Sequence, residues 1–206
     1  AAHAEFEAFI QPIAVTGAVN MSEVMQTLRD VLPDDAVVTN GAGNFAAWLH
    51  RFFPHQGRFT QLAPTSGAMG YGVPAAVAAA IMEPDRLVVN VAGDGDFMMT
   101  AQELATLRQY DARAVFIVVD NGVYGTIRMH QERDYPTRVS GTDLKNPDFV
   151  RFAEAFGLDA WRVETTEGFR PALEAALKAP NGALIHLITS PEDIAPGRTI
   201  TQLRGG

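Results

Sequence analysis

RLVVNVAGDGDFMMTAQELATLRQYDARAVFIVVDNGVYGT, residues 86–126, decides the fold. It opens with an apolar run that ends in Gly93-Asp94-Gly95, passes through a helical stretch, and closes with a second apolar run that ends in Asp120-Asn121-Gly122. Short apolar runs bounded by polar, glycine-bearing turns read as strands, so the stretch is a βαβ unit. The crossover makes its strands parallel, and a parallel, doubly wound sheet binds ligands outside the carboxyl ends of its strands. Asp94 and Asn121 both fall there and can converge. A carboxylate, an amide carbonyl and a nearby backbone carbonyl are hard oxygen ligands of the kind Mg²⁺ takes, with water and cofactor phosphates completing the octahedron.

These residues resemble the thiamine diphosphate (ThDP) enzymes of the acetolactate synthase and pyruvate decarboxylase type, whose shared motif opens with GDG and closes with Asn. Here the corresponding pair, Asp94 and Asn121, stands 27 positions apart. The resemblance implies that both side chains bind Mg²⁺, that Val123 adds its backbone oxygen, and that Gly93, Gly95 and Asp96 lie against the cofactor. The closing pair, usually Asn-Asn in that family, is Asp120-Asn121 in this chain.

Two other glycine-rich turns point the same way. Ala36 to Thr39 reads as a strand running into Asn40-Gly41-Ala42-Gly43-Asn44, whose glycines let backbone N–H groups approach a phosphate ahead of a helix starting near Phe45. By itself this is also the ordinary way to leave a strand. GAGNFAAW nevertheless resembles the diphosphate-contacting segment of acetolactate synthase-like enzymes, with Trp48 aligned and Asn44 in place of a more usual Gln, which makes Gly43 and Asn44 the implied contacts. The second turn, QLAPTSGAMGYGVP over residues 61–74, is too rich in small residues for a simple strand and brings backbone close to either a packed helix or a ligand. It leads into an alanine-rich helix over Val73–Met82 with Pro74 in its first turn. In the resembled family this segment holds the aminopyrimidine: the carbonyl of Gly67 accepts from its 4′-amino group, and Met69 wedges the cofactor into a bent shape.

The rest of the chain alternates helices and strands. Asn20 and Glu23 have capping-box spacing ahead of an amphipathic helix that Pro33 closes, and Thr100 with Glu103 marks a second such start, with Leu104 and Leu107 toward the sheet. That helix would aim its N-terminus at the site, where the amides around Gly95 and Asp96 could meet a diphosphate. Gly122 to Gly141 is a short helical start followed by a charged loop with Pro136, the form of a functional loop. The resemblance sets it over the active-site mouth, with Tyr124, Gly125, Thr126, Ile127 and His130 facing substrate or cofactor. Biosynthetic acetolactate synthases carry Trp where this chain has His130, whereas Glu132, Arg133 and Tyr135 match. Asn146-Pro147-Asp148 opens a helix ended by Gly157, and a strand (Ala160 to Val163), a helix (Phe169 to Lys178) and a strand (Ala183 to Thr189) follow. His186 reads as a core or sheet-face residue rather than a base. The tail from Ser190, with two prolines and little periodicity, folds over this domain or over a neighbour.

Composition bounds the function. With 206 residues, 47% hydrophobic and 19% charged, the chain can bury one sizeable core. Its net charge of −8 is spread along the sequence, which argues against a nucleic-acid partner. The absence of Cys excludes disulfides, thiolate metal sites and a Cys nucleophile, and fits a cytoplasmic location. Val73 to Met82 is too short to span a bilayer, so no membrane partner is expected. AAHAEFEAFIQP has no initiator Met and no signal-peptide pattern, which points to a part of a longer chain.

The fold expected is α/β: a doubly wound, mostly parallel sheet with helices on both faces. Residues 1–19 read as a linker from an upstream domain, 20–190 as the diphosphate- and Mg²⁺-binding domain, and 191–206 as a tail. The resemblance implies a homodimer or homotetramer acting on 2-oxo acids by decarboxylation and carboligation, with an N-terminal pyrimidine-binding domain or subunit supplying a catalytic Glu. FAD enters only through domains outside this sequence. Three other readings compete: a 2-oxo acid decarboxylase of the same family, a non-catalytic central module, and a Mg²⁺-dependent nucleotide or phosphoryl-transfer domain. The pair Asp94 and Asn121 speaks against the module. Against the nucleotide domain, GxxxxGK[ST] is absent and the two lysines, Lys145 and Lys178, lie in neither glycine turn.

Overall fold

The computed structural model describes residues 2–205. Its strands are β1 (Val37–Asn40), β2 (Gln61–Leu62), β3 (Val88–Gly93), β4 (Val115–Asp120), β5 (Asp159–Val163) and β6 (Ala183–Ile188). They form one sheet in the order β2-β1-β3-β4-β6-β5, and every neighbouring pair is parallel. The helices are α1 (Ala2–Phe9), α2 (Met21–Val31), α3 (Asn44–Phe52), α4 (Gly72–Met82), α5 (Asp94–Phe97), α6 (Leu104–Gln109), α7 (Gly125–Asp134), α8 (Phe149–Ala155), α9 (Thr166–Ala176) and α10 (Ile200–Gly205). None of them is long and apolar enough to cross a membrane.

Both faces of the sheet are covered, which is why its central strands are nearly continuous apolar runs. Val89, Val91, Ile117 and Ile185 point into one core with α2, α3 and α9. Their neighbours Val88, Ala92, Phe116 and Leu184 point into the other, with α4, α6 and α8. The connections obey one hand: each rightward step in the strand order crosses through α4, α6 or α8, and each leftward step through α3 or α9. The loops leaving β1 and β3 therefore part to opposite faces, opening a crevice between the two strand ends.

Local chemistry sets the helix starts. Asn20 caps α2 by accepting from Ser22 N, and its amide donates to Glu23 Oε1 at 2.9 Å. Asp148 caps α8 through Val150 N and Arg151 N at 3.0 and 3.2 Å. The expected capping box at Thr100 does not form. Thr100 Oγ1 instead donates to Gly70 O at 2.8 Å, a 3₁₀ turn covers Ala101–Glu103, and α6 begins only at Leu104. The first helical turn after β3 is α5, inside the GDG segment itself. Two other boundaries differ from expectation. Gln61–Leu62, read as loop, pairs with β1 as a short edge strand. The helix expected from Phe169 starts at Thr166 because Thr165 caps it through Gly168 N.

Asp96, in α5, ties three turns together. It is 3% exposed, and its Oδ1 accepts from Gly70 N at 2.7 Å. Ala42 N also donates to it, and burial pushes the carboxyl up to about 6 against these two hydrogen bonds. The approach is so close that a Cβ on Gly41 would collide with the carboxylate. On the other side, a Cβ on Gly72 would stand 2.6 Å from Asn90 Nδ2 and 2.7 Å from Gly41 N, so α4 starts directly against the end of β1.

The tail folds over this domain. Asp193 accepts from Thr16 N, Thr16 Oγ1 and Gly17 N at 2.9, 3.0 and 2.8 Å, which joins the tail to the segment ahead of α2. Arg204 on α10 grips Glu132 on α7 with two hydrogen bonds of 2.8 and 2.6 Å. Glu132 is fully buried, and the Arg204 guanidinium, helped by Thr137 N and Arg128, holds its carboxyl down to about 2.

Two outcomes follow from these ties. Asp96→Ala leaves the N–H groups of Gly70 and Ala42 without their acceptor, so chemical denaturation of the ligand-free protein should show a loss of about 1–3 kcal/mol for each; Asp96→Asn, which keeps an acceptor oxygen, should cost less. Glu132 carries a depressed carboxyl, so its contribution is complete above the ordinary value of 4.5 and is lost as pH falls through about 2. In Glu132→Gln the denaturation midpoint should therefore be lower than wild type at pH 7 and fall less steeply between those two values. Parallel acid profiles for the two proteins would contradict this.

Candidate functional site

The crevice at the carboxyl ends of β1, β3 and β4 deepens into a cavity of about 290 Å³. Four segments wall it: the turn and start of α3 (Gly43, Asn44), the Gly67–Met69 turn, the GDG segment (Gly93, Asp94, Gly95, Asp96), and the turn into α7 (Asn121, Val123, Tyr124, Gly125). Every expected site residue except His130 lines it. His130 is exposed on the outer side of α7, while Thr126 and Ile127, one turn earlier, border the cavity. The tail and the segment before α2 complete the wall through Ile194, Asp193, Val15 and Val19.

Asp94 follows β3 and Asn121 follows β4, adjacent strands paired up to Gly93 and Val119, so both residues lie at the carboxyl end of the sheet and line the cavity, while the register sets Asp94 opposite Asp120, one residue before Asn121. Asp94 is 3% exposed and fully hydrogen-bonded. Its Oδ1 accepts from Gly95 N at 2.9 Å, and its Oδ2 accepts from Gly122 N at 3.0 Å and from Asn146 Nδ2 at 2.7 Å. Burial, with Asp120 beside it, pushes Asp94 up to about 6 against the donors Asn146 and Gly95. The two donors on Asp94 Oδ2 also reach Asp120 Oδ1, Gly122 N at 3.0 Å and Asn146 Nδ2 at 2.8 Å, and His186 Nε2 meets Asp120 Oδ2 at 2.8 Å. Burial pushes Asp120 up as well, but the hydrogen bond from His186 helps bring it below the ordinary range.

Several expected contacts are engaged within the protein. The amide of Gly95 donates to Asp94. Asn44 donates to Ile194 O at 2.9 Å and accepts from Thr126 Oγ1 at 2.9 Å, so its side chain joins α3 to α7 and the tail. Asn121 Oδ1 accepts from Val123 N at 3.2 Å, closing the turn into α7. The Tyr124 ring lies against Gly95, where a Cβ would stand 2.5 Å from it. Met69 is half-buried at the rim, and Trp48, 4% exposed, stacks on Phe52 at the cavity's inner wall.

Sequence reading missed Asn146, the bridge between the two carboxylates, and the partnership of Asp120 with His186. His186 is indeed a buried sheet-face residue, 2% exposed. A period-two count along β4 and β6 carries the signal: Phe116, Val118 and Asp120 share a face with Leu184 and His186, the face that α8 covers. Asn146 lies just ahead of α8 on that side. Among the described residues, no group of three or more His, Cys, Asp or Glu is arranged to hold a metal.

Comparison with known proteins adds a second line. A family model described as thiamine pyrophosphate enzyme, C-terminal TPP binding domain, matches residues 41–187. The acetolactate synthase large subunit of Parasynechococcus marenigrum is 34% identical over 196 residues, 92% of this chain and 32% of that protein. That of Porphyra purpurea is 31% identical over 195 residues, covering 91% and 33%. The acetolactate synthase isozyme 2 large subunit of Escherichia coli K12 is 32% identical over 166 residues, covering 80% and 30%. The chain thus spans about a third of the length of these relatives. Since the matched span runs from the turn after β1 into β6 and takes in the glycine turns that wall the cavity, the chain belongs to the C-terminal thiamine pyrophosphate-binding domains of the acetolactate synthase-like family.

Proposed function

We propose that this domain holds the diphosphate and Mg²⁺ end of ThDP in an enzyme that decarboxylates 2-oxo acids and joins the product to a second carbonyl compound. The observation that carries the reading is the meeting of Asp94 and Asn121 at the ends of adjacent strands, in one cavity. The donor chemistry fits the cation. A buried carboxylate pushed up to about 6 is an anion that lacks a counter-charge, and a divalent ion supplies one. One carboxylate, one amide oxygen and the backbone oxygen of Val123 leave positions for phosphate oxygens and water, as Mg²⁺ prefers. The relatives' printed names favour the synthase over a simple decarboxylase.

When bound, ThDP would supply the nucleophilic and electron-accepting chemistry that a 2-oxo acid decarboxylation needs. The chain's own residues hold and orient. Asp94, Asn121 and Val123 would hold the metal, the Gly43 turn and the start of α3 would meet the diphosphate, and the carbonyl of Gly67 would take the aminopyrimidine's amino group. Met69 at the rim would support the cofactor's rings, and Tyr124 and Gly125 would close the wall toward substrate. In this reading the catalytic Glu arrives from an N-terminal pyrimidine-binding domain, in the same chain or a partner subunit of a homodimer or homotetramer, since among the described residues no Glu lines the cavity. Any flavin would belong to those other domains.

Two measurements test this. Asp94→Ala, in the full-length assembly, should remove the Mg²⁺ dependence of ThDP binding measured by calorimetry, because it removes the charged ligand of a divalent ion. A folded variant that binds ThDP as the parent does would overturn the metal assignment. The 206 residues by themselves should consume no 2-oxo acid with Mg²⁺ and ThDP, since the absent acid–base relay alone is worth roughly 10²–10⁴-fold. Turnover by the isolated domain at the rate of the full assembly would mean that the relay lies within it.

A further inference from the structure

Asp120 stands where a competitor for the cation would stand. It directly precedes Asn121, and it shares both hydrogen-bond donors of Asp94: Gly122 N, 3.0 Å from each carboxylate, and Asn146 Nδ2, 2.7 Å from Asp94 and 2.8 Å from Asp120. A carboxylate is a stronger ligand for a divalent ion than the amide oxygen of Asn121. Left free to turn about its side-chain torsions, Asp120 would bring a second anionic ligand to the cation.

Besides the two donors shared with Asp94, one contact made by Asp120 alone among the two carboxylates opposes that turn. Asp120 Oδ2, the oxygen not used by Gly122 and Asn146, meets His186 Nε2 at 2.8 Å. His186 is 2% exposed, held edge-on against Phe149 with ring centroids 5.0 Å apart. Its other nitrogen, Nδ1, is buried without a hydrogen-bond partner. A buried imidazole with one nitrogen unpaired is a costly way to fill a core position, and its one polar engagement is with Asp120. Register fixes the pair: Val118 faces His186 across β4 and β6, and Asp120, two residues on, points to the same side.

We propose that His186 is a positioning residue that latches Asp120 away from the metal, so that Asp94 is the only carboxylate ligand and the site keeps its preference for Mg²⁺. The proposal rests on the reading of Asp94 and Asn121 as metal ligands. Latched, Asp120 uses Oδ1 to hold Asn146 and the Gly122 amide, which orients the turn carrying Asn121 and Val123. Unlatched, it adds oxygen ligands and freedom to the site. Ca²⁺ gains more from that than Mg²⁺, because it accepts more oxygens, bidentate carboxylates included, in a looser geometry, whereas Mg²⁺ requires a near-ideal octahedron and keeps its waters.

The test is a calorimetric titration of the full-length, ThDP-loaded assembly with Mg²⁺ and with Ca²⁺. In His186→Leu the Kd for Ca²⁺ should fall relative to that for Mg²⁺ by about tenfold or more. His186→Phe, which keeps a ring against Phe149 but has no donor, should do the same and serves if the Leu variant does not fold. His186→Gln, which keeps an N–H donor, should hold the parent ratio. Adding Asp120→Asn to His186→Leu should restore it, since no carboxylate is then left to release. A buried imidazole with a purely structural role would lower the melting temperature in the Leu and Phe variants and leave the ratio unchanged, and that result overturns the latch. Asp94→Ala run alongside separates the two levels. Loss of cation binding there with an unchanged ratio in His186→Leu sinks the latch alone, and retained cation binding there sinks the metal site and the latch with it.

Discussion

The carboxylate of Asp96 is the constraint on which the site's shape depends. It lies under three turns that come from distant parts of the chain, accepts from Gly70 N and Ala42 N, and leaves no room for a Cβ on Gly41. Those turns carry the candidate contacts Gly43, Gly67 and Met69, and Asp96 is part of the GDG segment that carries Asp94. A buried carboxylate is an expensive joint, and burial pushes this one up to about 6. An apolar side chain could fill the volume but could not satisfy two backbone donors at once. The glycines around it are therefore demanded by close approach, and the cavity inherits its rigidity from hydrogen bonds at its floor.

Beside that joint, Asp94 and Asp120 show how charge is distributed in a buried site. Two carboxylates that share the same donors cannot both be anions at low cost, and the surroundings treat them differently. Asp120 has His186 as a further side-chain partner, whereas Asp94 has only the amide donors and is pushed up to about 6. The uncompensated one faces the cavity. An arrangement in which one acid has an extra side-chain partner and its neighbour does not is what the proposed cation site would use, since a divalent ion would supply the charge that Asp94 lacks.

Much of this was legible in the sequence because it is written in local patterns. Paired apolar runs ending in GDG and Asp-Asn-Gly give two parallel strands, and the rule for parallel sheets then puts Asp94 and Asn121 together, as the cavity does. The glycine turns at Gly43 and Gly67 were legible for the same reason. What escaped depends on contacts between segments far apart. Thr100 has the spacing of a helix cap, but Gly70 offers its hydroxyl a partner that only the tertiary fold provides. Asn146 resembles any residue ahead of a helix until two carboxylates arrive beside it. Asp96 reads as a cofactor contact because nothing local shows that Gly70 and Ala42 will present their amides.

Asn44 shows how a site tolerates a changed residue. Both polar ends of its side chain are used inside the protein, the amide on Ile194 O and the oxygen by Thr126 Oγ1. With those bonds in place, an anion at the start of α3 would meet main-chain N–H groups, which any residue there supplies. The side chain itself spans α3, α7 and the tail. A longer Gln and a shorter Asn can each make that span if the tail adjusts its distance. The tail here is set by other anchors, Asp193 on Thr16 and Gly17 and Arg204 on Glu132. The identity of residue 44 is thus coupled to how closely the tail is drawn over the cavity, and a departure at a motif position becomes a statement about wall geometry more than about loss of a ligand.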